Sequence, residues 1–288
     1  MANILDGKKI SQSVKDQLKI KVKDFEEKYG RKITLAVVLV GENPASQVYV
    51  KNKITATEYV GMKSLSFYLP ENATEQDVEQ TISSLANDNS VDGILVQLPL
   101  PKHLDENKIL SLIPAQKDVD GFLAENVGNL MLGLPTTVAC TPFGVLKMLQ
   151  SENIELSGKN AVVLGRSNIV GKPMAMLLLK ENCTVTICHS KTQNLASICK
   201  NADILVAAIG KPKFVRKDMV KEGAVVVDVG INRTENGLVG DVDFDAVKDI
   251  ASYISPVPGG VGPMTVNTLM AHTVDACIKL ENKTFWFL

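Results

Sequence analysis

Ala161-Val-Val-Leu-Gly165-Arg-Ser-Asn-Ile-Val-Gly171-Lys-Pro173 is the stretch from which the fold is read. A short β-branched run ends in Gly165, a small-polar loop follows, and an apolar helical pattern extends from about Pro173 to Lys180. Strand, glycine turn and helix in this order point backbone N–H groups and a helix N-terminus at a phosphate. The spacing departs from the usual dinucleotide fingerprint, because Arg166 and Ser167 fill places where small residues are common. Taken alone, the stretch fits a tight strand-to-helix turn as well as it fits a nucleotide site.

The next strand adds weight. Thr184-Val-Thr-Ile-Cys188 is followed by His189-Ser190-Lys191-Thr192. At the tip of this second strand an NAD site carries an acid for the ribose hydroxyls. Here a hydroxyl and a lysine stand instead, with Arg166 on the neighbouring loop. A carboxylate repels a 2′-phosphate, whereas Arg and Lys pair with it. The site therefore leans towards NADP, although His189 or Lys191 alone reads equally well as a solvated loop residue.

The chain has 288 residues, enough for one large or two modest domains with ample core. Its 31 Lys and Arg nearly balance 32 Asp and Glu, so neither a nucleic-acid nor an anionic-membrane surface is signalled. Five Cys form no CxxC pair and leave an odd count, which suits a reducing compartment and gives no zinc site. None of the three His shares a metal-ligand spacing with another, so no metal is expected. The N-terminus lacks a signal-peptide pattern, and no apolar run approaches the roughly 20 residues of a membrane span. A soluble, cytoplasmic globular protein is the expectation.

Apolar runs at Leu35–Val40, Ser64–Leu69 and Gly93–Pro101 read as strands, the last broken by prolines. Between them lie helical patterns, one with Ser46 as its expected cap and one with Thr74. Before them runs a charged amphipathic helix within residues 1–30. The second half repeats the scheme. A helix begins at Thr141-Pro142, with proline at its favoured first position. Strands follow at 161–165, 184–188, 204–208, 224–229 and near 253–255, and a last helix runs from about Thr265 to Leu280. Alternating strands and helices of these lengths imply parallel sheets. We therefore expect two α/β domains that meet near residues 120–142 and again near 258–266. The apolar tail Phe285-Trp-Phe-Leu288 is expected to dock on a domain.

In open parallel sheets, ligands bind beyond the carboxyl ends of the strands. Tyr49 and Lys53 lie four apart on the helix after the first strand and share one face. Gln97 ends the strand Ile94–Val96, and Asp118 and Asp120 sit in Lys-Asp-Val-Asp-Gly121. Each has an ordinary explanation: a surface Tyr/Lys contact, a Gln that satisfies a loop, an Asp that shapes a turn. Their expected convergence on one crevice is what points to a site.

These residues also carry a resemblance. Tyr49-Val-Lys-Asn-Lys53, Val96-Gln-Leu-Pro-Leu-Pro101, Lys117-Asp-Val-Asp-Gly-Phe122, Cys140-Thr-Pro142, the 165–171 loop and the 256–265 segment resemble the methylenetetrahydrofolate dehydrogenase/cyclohydrolase family, in order and over nearly the whole chain. In that family a His often stands where this chain has Leu123, and a basic residue where it has Phe143. The resemblance implies NADP-dependent oxidation of methylenetetrahydrofolate to the methenyl cation, then its hydrolysis to 10-formyltetrahydrofolate. It implies a folate-binding catalytic domain of residues 1–141 plus 266–288, a Rossmann-like NADP domain of residues 142–265, and a cleft between them. It implies Lys53 as the catalytic lysine of hydrolysis, Gln97 as its tuning partner, Tyr49 packed on the folate and Asp120 at the pterin edge. Val96, Leu98, Pro258, Gly259 and Gly260 would line the folate; Gly165, Arg166, Ser167, Ser190 and Ile231 would hold the dinucleotide. A homodimer acting on polyglutamylated folates is implied as well. The formate-ligating activity of longer relatives is not, because no P-loop is present.

The chemistry is consistent with those residue types. Hydride loss needs no proton-transfer group on the carbon, so positioning carries that step. Hydrolysis does need a base. A free lysine amine is protonated at neutral pH, and both burial and a neighbouring cation favour the neutral form. Two rivals are weaker. In a short-chain dehydrogenase the Tyr-x-x-x-Lys pair follows the glycine-rich strand, whereas here it precedes it. A non-catalytic nucleotide binder has no need of Lys53, Gln97 and Asp120.

Overall fold

The computed structural model describes residues 1–235 and 237–282, so the tail Phe285–Leu288 lies outside the described residues. In chain order, β1 (Asn3–Ile4) precedes α1 (Gly7–Tyr29), β2 (Thr34–Val40), α2 (Pro44–Tyr59), β3 (Lys63–Leu69), α3 (Glu75–Asn87) and β4 (Gly93–Val96). Two short helices, α4 (Glu106–Leu110) and α5 (Ala124–Met131), lead to α6 (Cys140–Ser151). Then come β5 (Asn160–Leu164), α7 (Gly171–Lys180), β6 (Thr184–Cys188), α8 (Leu195–Lys200), β7 (Ile204–Ala207) and β8 (Val225–Asp228). The chain continues through β9 (Asn232–Thr234), β10 (Gly237–Val239), α9 (Phe244–Val247) and β11 (Tyr253–Ile254) to α10 (Val261–Asn282). It divides into two compact units, residues 1–12 with 139–265, and residues 13–138 with 266 onward.

The unit of residues 13–138 is built on a parallel three-stranded sheet in the order β3-β2-β4. All seven residues of β2 are buried, as a central parallel strand covered on both faces requires. From β2 the chain moves first to one side of the sheet and then to the other. The order therefore reverses between β2 and β4, and their carboxyl ends become the natural ligand position. Thr74 caps α3 as expected, within a capping box completed by Asp77. The cap of α2 differs from the expectation. Asn43 Oδ1 accepts the N–H groups of Ala45 (2.9 Å) and Ser46 (3.2 Å), and Ser46 is buried in the first turn. Pro44 explains the earlier start, because the first helical position needs no N–H.

The other unit carries a six-stranded sheet, all parallel, in the order β1-β11-β8-β7-β5-β6. Here the order reverses between β5 and β7. The two residues of β1 extend this sheet by pairing with β11, so residues 1–12 belong to it rather than to the first unit. Gly7 permits this approach, since a Cβ there would overlap the carbonyl of Gly260. Helix α6 starts at Cys140, which makes Pro142 its third residue rather than its first, and α10 starts at Val261, ahead of Pro263. Both prolines are tolerated because first-turn N–H groups have no partner inside the helix.

Lys117 is one residue whose role only the fold reveals. Its ammonium group is buried and donates to the carbonyls of Leu85 (3.3 Å), Ala86 (2.9 Å) and Asp88 (2.7 Å), closing the end of α3. Replacing it by methionine would remove all three bonds and leave Ala86 O without a donor, while Leu85 O and Asp88 O keep those of Asp88 N and Val91 N. We expect Lys117→Met to cost about 2 kcal/mol, lowering the melting temperature by roughly 4–8 °C. A melting temperature within about 1 °C of wild type would show that the cap carries no weight.

Candidate active site

In the unit of residues 13–138, β2 delivers the chain to α2, which presents Tyr49 and, one turn on, Lys53. Lys53 is 9% exposed, whereas Tyr49 is 37% exposed. β4 ends where Gln97 begins, and the Gln97 N–H donates to Val38 O (2.9 Å), fixing it beside β2. Its side-chain Nε2 donates to Leu98 O (2.7 Å), which turns Oε1 towards Lys53. Lys53 Nζ donates to that Oε1 at 3.1 Å. The two residues that the sequence reading pairs are thus in direct contact, both buried, at the reversal between β2 and β4. A neutral amide neither neutralises an ammonium group nor repels it, so it orients the amine without committing it to an ion pair. The Leu98–Pro99 peptide that follows is cis.

Asp118 and Asp120 divide their work. The Asp118 carboxylate accepts from Gly121 N (2.9 Å), Leu123 N (2.9 Å) and Asn126 Nδ2 (2.7 Å), so it shapes the turn into α5. A β-bridge pairs Asp118 with Ile94 in parallel sense. Two residues on, Asp120 lies in a bend beyond that bridge. His272 on α10 steadies this segment, its Nδ1 lying 3.1 Å from Val119 O. Burial pushes the imidazole down to about 4, so it is neutral and donates from Nδ1 to that carbonyl. Val96 is buried and Leu98 half-buried beside them.

In the unit of residues 139–265, Gly165 follows β5 with φ of +130°, and a Cβ there would overlap the Ala208 carbonyl beyond β7. A Cβ on Gly171 would overlap the carbonyl of Gly165. Both glycines are therefore dictated by close backbone approach at the reversal between β5 and β7. The hydrogen bonding of this turn is not what the sequence implies. Ser167 Oγ accepts Val170 N (3.1 Å) and Gly171 N (3.3 Å), and Ser167 O accepts Lys172 N (3.0 Å). The first-turn donors of α7 are thus engaged, and Pro173 has none. Among the described residues, the N–H groups of Arg166, Ser167, Asn168 and Ile169 have no acceptor. These four consecutive donors, exposed at the carboxyl edge of the sheet, suit the phosphates of a dinucleotide.

Beyond β6, Thr192 Oγ1 accepts His189 N (2.8 Å) and His189 Nδ1 accepts Lys191 N (3.1 Å). The turn holds Ser190 and Lys191 exposed, and Arg166 is exposed as well. Ile231 is 44% exposed beyond β8, and a Cβ on Gly262 would lie 4.0 Å from its Cδ1. The segment of Pro258, Gly259 and Gly260 is pinned by Gly260 N to Pro256 O (2.8 Å) and Lys8 N to Gly259 O (3.1 Å). Its Val257–Pro258 peptide is cis. Ile231 thus lies close to Gly262, two residues past this segment.

Two buried carboxylates in this unit escape the sequence reading. Asp228 accepts Gly230 N (2.9 Å), Asp241 N (2.9 Å) and Val242 N (2.8 Å). Burial pushes its carboxyl up, to about 7, against the pull of these donors. Asp241 is fully buried and accepts from the loop after β7. Their partners lie up to 32 residues away, so no local pattern announces them. Among the described residues, no group of three His, Cys, Asp or Glu is placed to hold a metal ion.

The chain matches two family models, the catalytic domain of tetrahydrofolate dehydrogenase/cyclohydrolase over residues 5–120 and its NAD(P)-binding domain over residues 139–281. It is 56% identical to the bifunctional protein FolD of Agathobacter rectalis, over 96% of this chain and 99% of that protein. Among solved structures, the bifunctional FolD dehydrogenase/cyclohydrolase of Campylobacter jejuni superposes with a TM-score of 0.95 at 50% identity, covering 99% of this chain and 100% of that one. The Trypanosoma brucei dehydrogenase-cyclohydrolase, solved with NADP and an inhibitor, superposes with a TM-score of 0.94 at 38% identity, covering 98% and 99%.

Proposed function

We propose, because this chain belongs to the tetrahydrofolate dehydrogenase/cyclohydrolase family, that Lys53 is the base of its hydrolytic step and Gln97 the residue that orients it. The protein is an NADP-dependent enzyme of two activities. It oxidises 5,10-methylenetetrahydrofolate to 5,10-methenyltetrahydrofolate and hydrolyses that product to 10-formyltetrahydrofolate, within one-carbon metabolism. The observation that carries the assignment of roles is the buried Lys53–Gln97 hydrogen bond at the end of β4.

Water attacking the methenyl carbon opens its C=N π bond and must lose a proton as the C–O bond forms. A positioned amine takes that proton, and the carbon–N5 bond then breaks as N5 is protonated, leaving the formyl group on N10. Gln97 supplies an acceptor that holds Nζ in place whether or not the amine carries its extra proton. Asp120 would accept from the N–H edge of a pterin, and Tyr49 would cover the ring. Val96 and Leu98 supply apolar wall.

NADP, when bound, accepts the hydride. The unit of residues 139–265 fits it: Gly165 and Gly171 let the turn close backbone on backbone, and the free N–H groups of 166–169 would meet its phosphates. Arg166 and Ser190 would take the 2′-phosphate, and Ile231 would pack against the ring. We place folate on the unit of residues 13–138 and the dinucleotide on the other. The reading extends to polyglutamylated substrates, a homodimer and a cytoplasmic location. It takes support from the family resemblance, and no described helix is long and apolar enough to cross a membrane.

The purified protein should reduce NADP only when methylenetetrahydrofolate is present, and should hydrolyse methenyltetrahydrofolate without cofactor. Arg166→Ala should raise KM for NADP by roughly 10–100-fold, the worth of a charge-assisted pair, while KM for NAD stays within about twofold. Equal changes for both cofactors would remove Arg166 from 2′-phosphate recognition. NADP binding without turnover in either assay would make the protein a binder that kept the fold.

A further inference from the structure

We infer that Asp241 is a positioning residue for the nicotinamide half of the dinucleotide, acting through the loops that follow β7 and β8. The inference rests on the proposal that this unit holds NADP. A dinucleotide crosses the carboxyl edge of such a sheet with its phosphates at the glycine turn. With the turn after β5 and the 2′-phosphate residues beyond β6, the adenosine half lies towards β6. The nicotinamide half then falls over β7 and β8.

The loop after β7 presents three consecutive N–H groups, an arrangement that binds anions. In this chain the protein's own carboxylate fills it. Asp241 Oδ2 accepts Ile209 N (2.6 Å) and Gly210 N (2.9 Å), and Oδ1 accepts Lys211 N (2.8 Å). The same Oδ1 accepts Asn232 Nδ2 (2.9 Å), one residue past Ile231. A single buried carboxylate thus ties the β7 loop to the β8 loop. Asp228, at the end of β8, holds the Asp241 backbone in turn.

The space around both carboxylates is closed. A Cβ on Gly230 would overlap the Asp241 carboxylate, and one on Gly240 would overlap that of Asp228. The arrangement leaves none of the three consecutive N–H groups of the β7 loop to offer a phosphate. Its function is shape: Ala208 abuts Gly165 on one side, and Ile231 adjoins the Gly262 segment on the other. Loosening Asp241 would let the wall under the nicotinamide move while the phosphate turn and the Ser190–Lys191 end stay fixed.

Asp241→Asn replaces one acceptor oxygen by an N–H₂ group facing backbone donors, so about half of the four bonds are lost. Asn232→Ala removes only the tie to the β8 loop. Calorimetric titration should compare NADP with adenosine 2′,5′-bisphosphate, which lacks the nicotinamide half, on wild type and both variants. We expect NADP to bind Asp241→Asn about tenfold more weakly and Asn232→Ala about threefold more weakly. Binding of the bisphosphate should be unchanged in both, and cofactor-free hydrolysis of methenyltetrahydrofolate should stay at the wild-type rate. Unchanged NADP affinity, or equal weakening of both ligands, overturns the inference. Should Asp241→Asn fail to fold, Asn232→Ala decides alone. Wild type that binds neither ligand would remove the NADP proposal itself, an outcome distinct from the failure of Asp241.

Discussion

Lys53→Met is expected to lower hydrolysis of methenyltetrahydrofolate by about 10²–10⁴-fold, the usual worth of a positioned general base, and to leave oxidation of methylenetetrahydrofolate within a few-fold of wild type. The split follows from the chemistry of the two steps. Hydride departure is driven by the lone pairs of the two folate nitrogens and requires no proton acceptor on the protein, so the loss of an amine leaves it a positioning problem only. Hydrolysis has a proton to dispose of, and Lys53 Nζ is the buried amine held by Gln97 Oε1. Methionine matches the length and apolar stem of lysine, so packing in α2 is retained. Methenyl absorbance should therefore accumulate in the variant alongside NADPH. Equal loss of both activities would reduce Lys53 to a substrate-binding residue.

Gly171→Ala is expected to do the reverse. Its Cβ would overlap the Gly165 carbonyl and crowd Arg166 N, so the turn that carries the four free N–H groups must shift. Overpacking of this kind costs about 1–3 kcal/mol of stability. A phosphate cradle displaced by a fraction of an ångström should weaken NADP binding by roughly 100-fold, as two to three hydrogen bonds lose alignment. Hydrolysis of supplied methenyltetrahydrofolate, which involves no dinucleotide, should persist. Normal KM for NADP in this variant would mean that the turn is structural and that the phosphates bind elsewhere. The two variants together dissociate the activities in opposite directions, which a general loss of folding cannot do.

Much of this was legible in the sequence because it is written in near neighbours. The Gly165–Gly171 spacing, the Thr74 cap and the apolar run Leu35–Val40 of β2 each depend on residues a few positions apart. Lys53 and Gln97 are 44 residues apart, yet their convergence follows once Gln97 is placed at the end of β4 and Lys53 on the helix after β2. The misses have physical causes too. Ser46 and Asn43 are equally good caps, and only the proline between them decides. β1 has two residues, too few for any periodicity, and its pairing with β11 is settled by tertiary fit. Asp118 and Asp120 look alike in the chain, but only the fold shows that the Asp118 carboxylate captures Gly121, Leu123 and Asn126 and so serves the turn. Lys117, Asp228 and Asp241 serve backbone groups of distant segments, and such service leaves no local trace.

The pairing of the two activities on one enzyme is tested most directly by a single turnover of the wild-type protein on methylenetetrahydrofolate with NADP. NADPH and methenyl absorbance should be followed together, with the same turnover repeated on Lys53→Met. The account predicts that wild type forms NADPH with little methenyl intermediate and yields 10-formyltetrahydrofolate, while the variant forms NADPH and methenyl product one for one. Wild type that releases methenyltetrahydrofolate in step with NADPH, with Lys53→Met indistinguishable from it, would contradict the role given to the Lys53–Gln97 pair.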